Sequence, residues 1–233
     1  MKRINILSTR SIKWSLIEQA GRAGILIDQI EFIKTKPIIS PEKIALIQNL
    51  PAYASLVFTS TNAVEAFSQL VHDHNINPGQ HRVFCVDGRT NDSINALFPS
   101  FVIAARSETA RALALEILNH DIEKIYFICG NLRRDELPDI LRQKGIAVEE
   151  LELYKTEPTP IKIEQNYDGL IFFSPSAVSS FFSVNKIPAD TTCFAIGETT
   201  ANAIKVFSDN GIVVATKPRQ ENIISTIINH YQS

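Results

Sequence analysis

An α/β fold with mostly parallel sheets, arranged as two similar domains, is what the order of apolar segments in this 233-residue chain predicts. Three observations carry that expectation. Apolar runs of strand length recur, and they are continuous rather than alternating, as strands covered on both faces should be. Segments of helical period separate them, which is the pattern of strand–helix–strand units. The chain also repeats itself at long range, unit by unit and in the same order, which points to two like domains.

In chain order the strand candidates are INIL at 4–7, SLVF at 55–58, RVFCV at 82–86, KIYFI at 124–128, GLIFF at 169–173 and CFAI at 193–196. Between them, Ala63, Val64, Phe67, Leu70 and Val71 share one helical stripe, as do Leu113, Ile117 and Leu118. The repeat has three parts. Residues 6–37 can be laid on 127–158 without gaps, so that Gly24 meets Gly145, Glu31 meets Glu152, and Lys34, Thr35 and Pro37 meet Lys155, Thr156 and Pro158. Next, Leu56, Phe58, Ser60, Ala63, Val64 and Phe67 match Leu170, Phe172, Ser174, Ala177, Val178 and Phe181. A weaker third pair sets CVDGRTNDSI at 85–94 against FAIGETTANAI at 194–204. Both copies of the first part end in Lys-Thr-x-Pro, where proline and its predecessor favour extended backbone. Residues 35–41 and 156–160 are therefore the candidate linkers.

Charged residues make up 21% of the chain and hydrophobic ones 45%, with a net charge of −2. That is an ordinary globular composition, without the basic footprint of a nucleic-acid binder. Near-neutral net charge still permits a local anion site. The first residues hold no apolar stretch long enough for a signal peptide, and no apolar run approaches ~18 residues, so no membrane span is expected. Cys85, Cys129 and Cys193 each lie in or beside an apolar run; an odd count without pairing pattern reads as buried, reduced thiols in a cytoplasmic protein.

In open α/β sheets, ligands sit beyond the carboxyl ends of the strands. Here those ends are STRS at 8–11, TSTN at 59–62, DGRTN at 87–91, GNLRR at 130–134, SPS at 174–176 and GETT at 197–200. Helix starts leave backbone N–H groups free and carry positive partial charge, so such corners suit anions. One corner alone reads as a plain helix cap. Six on two similar domains, facing a common cleft, would grip a large polyanion mainly through main-chain amides. The candidate binding residues are Thr9, Arg10, Thr59, Ser60, Thr61, Asn62, Gly130, Asn131, Arg133, Ser174, Ser176, Gly197, Thr199 and Thr200. Arg89 and Arg134 could add carboxylate forks.

The common catalytic sets are missing from the sequence: no G-x-S-x-G elbow, no phosphate loop, no G-x-G-x-x-G, no close carboxylate pair. His72 and His74 do not share a helix face, and no Cys/His spacing fits a metal, so neither metal nor cofactor is expected. Tyr154, in the second linker, could serve as a proton donor or simply pack at a domain junction.

Taken in order, FTSTNAVEAF, GNLRRDELPDILRQKGIAVEELELYKTEP, FFSPSAVSSFF and AIGETTANAI resemble uroporphyrinogen-III synthase, over about residues 4–228. The resemblance implies two flavodoxin-like domains joined by a two-stranded connector, with the chain leaving the first domain and returning to it. That gives a first domain of 1–36 with 158–233 and a second of 37–157. It implies cyclisation of the linear tetrapyrrole hydroxymethylbilane, a polycarboxylate, to uroporphyrinogen III. Water is lost, the terminal pyrrole is inverted, and no cofactor is used. The family's linker tyrosine falls on Tyr154, which makes Tyr154 the expected acid. Its paired threonines fall on Thr199 and Thr200, and its corner hydroxyls on Ser60, Ser174 and Ser176. The corner CVDGRTNDSI lacks the family's Gly-x-x-Thr-Ala form, so no role is carried to Gly88 or Arg89. A monomer is expected. The residues alone leave two other readings: a phosphosugar transferase or isomerase, and a cytosolic two-domain anion-binding protein.

Overall fold

The computed structural model describes residues 3–232. In chain order the elements are β1 (Ile4–Ser8), α1 (Trp14–Arg22), β2 (Ile25–Gln29), β3 (Ile33–Pro37), α2 (Pro41–Gln48), β4 (Ser55–Phe58), α3 (Thr61–Asp73), β5 (Arg82–Val86), α4 (Arg89–Leu97) and β6 (Val102–Ser107). They continue as α5 (Ala110–Ile117), β7 (Lys124–Gly130), α6 (Glu136–Gln143), β8 (Ala147–Pro158), β9 (Gly169–Phe172), α7 (Pro175–Phe182), β10 (Thr192–Ala195), α8 (Glu198–Lys205), β11 (Ile212–Val214) and α9 (Gln220–Gln232).

The chain divides into two compact units. The first runs to Lys34 and resumes at Glu157; the second is Thr35–Thr156. The first unit holds a five-stranded sheet in the order β11-β10-β9-β1-β2, parallel throughout. A six-stranded sheet runs β3-β8-β7-β4-β5-β6, with β8 to β6 parallel. Apart from β3, like strands occupy like places: β11, β10, β9, β1 and β2 correspond to β6, β5, β4, β7 and β8. This is the expected α/β fold with parallel-dominated sheets.

Strand alternation gives each sheet an apolar cluster on either face. Leu56 and Phe58 join one cluster and Val57 the other; in β9, Leu170 and Phe172 separate from Ile171 in the same way. Every residue of β4 and β9 is buried. The helices add their stripes. Ala63, Val64, Phe67, Leu70 and Val71 of α3 are buried as their spacing predicts, and Phe67 meets Phe58 and Phe98 edge-on at 5.9 and 5.4 Å. Burial of one such side chain stabilises by about 1.5–3 kcal/mol.

The two matched corners share one cap. Ser60 Oγ accepts the Ala63 N–H and Ser174 Oγ accepts the Ala177 N–H, both at 3.2 Å, with extended backbone at each serine. The gapless match of 6–37 on 127–158 fails at its first strand. Leu170 pairs with Leu7, whereas its counterpart Leu56 pairs with Tyr126, so Leu7 corresponds to Tyr126 and not to Ile128. The pairs Ile6–Ile27 and Ile125–Val148 give the same two-residue slip. An even slip keeps every side chain on its face, which is why the apolar pattern hid it. The Lys-Thr-x-Pro segments are extended, but as the strand β3 and the end of β8 rather than as free linkers.

Candidate functional site

In the second unit, the carboxyl ends of the adjacent strands β8, β7 and β4 bring Tyr154, Gly130, Asn131 and Ser60 together. Tyr154 lies within β8, opposite Gly130, where the pairing skips one residue of β8 in a bulge. Bulges redirect side chains. The tyrosine ring packs onto Gly130 so closely that a Cβ there would stand 2.3 Å from Tyr154 Cε2. The phenol oxygen lies 3.0 Å from Ser60 Oγ. Ser60 also caps α3, so its oxygen accepts the Ala63 N–H while its own proton stays available to the phenol. Asn131 extends the ladder past the bulge: its N–H donates to the Tyr154 carbonyl at 3.2 Å. Its carboxamide accepts the Thr156 N–H at 2.8 Å and donates to the Thr156 carbonyl at 3.3 Å.

Burial pushes the Tyr154 phenol up from its ordinary value; the Ser60 hydrogen bond acts the other way, and proximity to Cys129 adds to the rise. Cys129 is itself pushed up to about 12, chiefly by burial, so it is a neutral thiol. Thr59, Thr61 and Asn62 are half-buried around the α3 start. Arg133 is engaged by acids: it forms an ion pair with Glu150 and another with Asp135 at 3.3 Å, and Glu150 also takes Arg142 at 2.7 Å.

The first unit presents the ends of β10, β9 and β1 side by side. Thr9 is buried, and both its N–H and its hydroxyl donate to the Ile171 carbonyl, at 3.0 and 2.8 Å. Thr9 therefore ties β1 to β9 rather than presenting a donor. Ser174 and Ser176 hydroxyls are 3.0 Å apart at the start of α7. Gly197 begins α8 without any side-chain cap, Thr199 is exposed in its first turn, and Thr200 is buried. Arg10 is exposed on the loop after β1, where its carbonyl accepts from the buried Ser8 hydroxyl at 2.5 Å. Among the described residues no His, Cys, Asp and Glu side chains gather into a metal-holding group. The uncapped α8 start at Gly197 suits an anionic group, and the half-buried Tyr154 phenol can deliver one proton.

Residues 15–225 match the family model for uroporphyrinogen-III synthase HemD. This chain belongs to the uroporphyrinogen-III synthase family. A curated uroporphyrinogen-III synthase from Chlorobaculum parvum is 25% identical over 207 residues, 81% of either chain. Among solved structures, the uroporphyrinogen-III synthetase of Helicobacter pylori superposes with a TM-score of 0.64 at 16% identity, over 97% of this chain and 99% of that one. A mutant uroporphyrinogen III synthase from Thermus thermophilus gives 0.64 at 15% identity, over 98% and 99%. These two likenesses show the fold.

For a uroporphyrinogen-III synthase family member, two features of the site escaped the sequence. One is the pairing of Arg133 with Glu150, seventeen residues apart and on neighbouring elements; the acidic run of β8 was its only signal. The other is the clasp of the Asn131 carboxamide on the Thr156 main chain: Asn131 is a candidate by sequence, but a main-chain partner has no side-chain signature.

Proposed function

We propose that this chain converts hydroxymethylbilane to uroporphyrinogen III, with loss of water and inversion of the terminal pyrrole, and that Tyr154 supplies the proton. The observation carrying this reading is the Tyr154 phenol, half-buried, packed over Gly130 and hydrogen-bonded to Ser60 at the start of α3. A tyrosine phenol is protonated at neutral pH, as an acid must be before it acts, and burial shifts it further in that direction. As the substrate's C–O bond breaks, the proton passes from Tyr154 to the departing hydroxyl, which leaves as water. The pyrrole nitrogen's electron pair fills the vacancy and gives an azafulvene cation. The phenolate left behind accepts the Ser60 hydroxyl proton as a hydrogen bond, and Ser60 is itself fixed by the Ala63 N–H. Attack by the substituted ring carbon forms a bond to the azafulvene carbon and leaves the attacking carbon quaternary. Its original bond to the neighbouring methylene then breaks, which frees a second azafulvene cation. The free α-carbon of the inverted ring closes on that cation, losing its own proton as the pyrrole regains aromaticity and so returning a proton to the phenolate. What remains is positioning of a flexible chain, which lowers the barrier by orientation.

The helix-start donors proposed for carboxylate binding are Thr59, Ser60, Thr61 and Asn62 in the second unit taken by itself, and Ser174, Ser176, Gly197 and Thr199 in the first taken by itself. We read both units as flavodoxin-like domains, 1–36 with 158–233 and 37–157, joined by β3 and the end of β8. The matching strand order of the two sheets supports this. The same reading makes the protein a cytoplasmic monomer; three buried free thiols accord with a reducing compartment. Kinetics of Tyr154→Phe with hydroxymethylbilane test the proton donor. Wild-type turnover in that variant would remove Tyr154 from its role.

A further inference from the structure

Resting on that reading of Tyr154, we propose that Gly130 and Asn131 form the mount that positions its phenol against Ser60, and that Asn131 is a positioning residue rather than a substrate contact. Beyond the bulge at Cys129 and Gly130 the regular ladder between β7 and β8 ends. The Asn131 side chain replaces the missing ladder. A carboxamide carries the same donor and acceptor as a peptide group, and both are used on one residue, Thr156. With the Asn131 N–H on the Tyr154 carbonyl, the main chain is fixed on both sides of Lys155, immediately after the tyrosine. Gly130 then supplies the slot. Its missing side chain leaves the space that the ring occupies, and no larger residue fits there without moving the phenol. The Asn131 carboxamide is half-buried with its oxygen and nitrogen both engaged in this clasp. Aspartate keeps the acceptor and loses the donor; alanine loses both.

The mount makes a claim independent of turnover. Phenol titration, followed by NMR with ring-labelled tyrosine in the full chain, reports directly on burial at Tyr154, whose signal is assigned by its loss in Tyr154→Phe. In Asn131→Ala and in Gly130→Ala the ring should swing toward water and its titration should fall toward the ordinary tyrosine range. Asn131→Asp should lie between these variants and wild type, and thermal melting confirms that each variant folds. An unchanged Tyr154 titration in folded Asn131→Ala overturns the proposal, whatever the activity. In parallel, Asn131→Ala should lower kcat between about 10- and 100-fold, as an ångström-scale misplacement does, with KM moved by less than about twofold. In the Tyr154→Phe background the same substitution should cost nothing more, because the group it positions is already gone; a full loss there also overturns the positioning role. Should Tyr154→Phe itself turn over like wild type, the proton-donor reading fails, while the titration still decides the mount.

Discussion

The proposed mechanism rests on one hydroxyl, that of Tyr154. General-acid groups contribute about 10²–10⁴-fold to rate, and Tyr154→Phe should lose kcat on that order while binding of product, measured by calorimetry, stays close to wild type. Ser60→Ala should cost less in rate, because the phenol keeps its proton and loses only the partner that steadies the phenolate. Away from the site, His81 is buried, with its Nδ1 lacking a hydrogen-bond partner among the described residues, and burial lowers its pKa. The sign of its effect follows from that direction. Above the unfolded value near 6.5 the ring is neutral in both states. As pH falls below it, the unfolded chain takes up the proton first, so folding stability declines. Denaturant midpoints between pH 8 and 5 should fall more steeply in wild type than in His81→Phe; parallel slopes would acquit His81.

At the scale of elements, the serine caps and the apolar stripes set stability. Ser174→Ala should destabilise by about 1 kcal/mol through its lost cap, and Phe67→Ala by about 3–5 kcal/mol through the cavity it leaves; urea unfolding measures both. What the sequence revealed of the fold follows the same physics. The six strands read from apolar runs are β1, β4, β5, β7, β9 and β10, all interior to their sheets. Burial on both faces writes a continuous apolar run. The strands β2, β3, β6 and β11 went unread because each lies at a sheet edge, and their burial is mixed. β8, beside the edge, alternates charged and apolar residues. The corners after the strands were legible because caps demand particular side chains. The Asn131 clasp and the two-residue slip were not, since main-chain partners and even register shifts leave the residue pattern intact.

For the whole molecule, the substitutions that test the proposed corner donors divide by burial. Thr199 is exposed and Thr200 buried. Thr199→Leu should weaken binding with little change in melting temperature, whereas Thr200→Leu should lower the melting temperature as well; equal affinity in folded Thr199→Leu would place that hydroxyl outside the binding surface. The reading as a uroporphyrinogen-III synthase is tested most directly by the identity of the ring it closes. Hydroxymethylbilane left alone gives the uninverted type I isomer. Incubated with the purified chain and separated by chromatography after oxidation, the product should be type III, formed faster than type I appears without protein. Type I alone, in the presence of folded protein, would contradict the account.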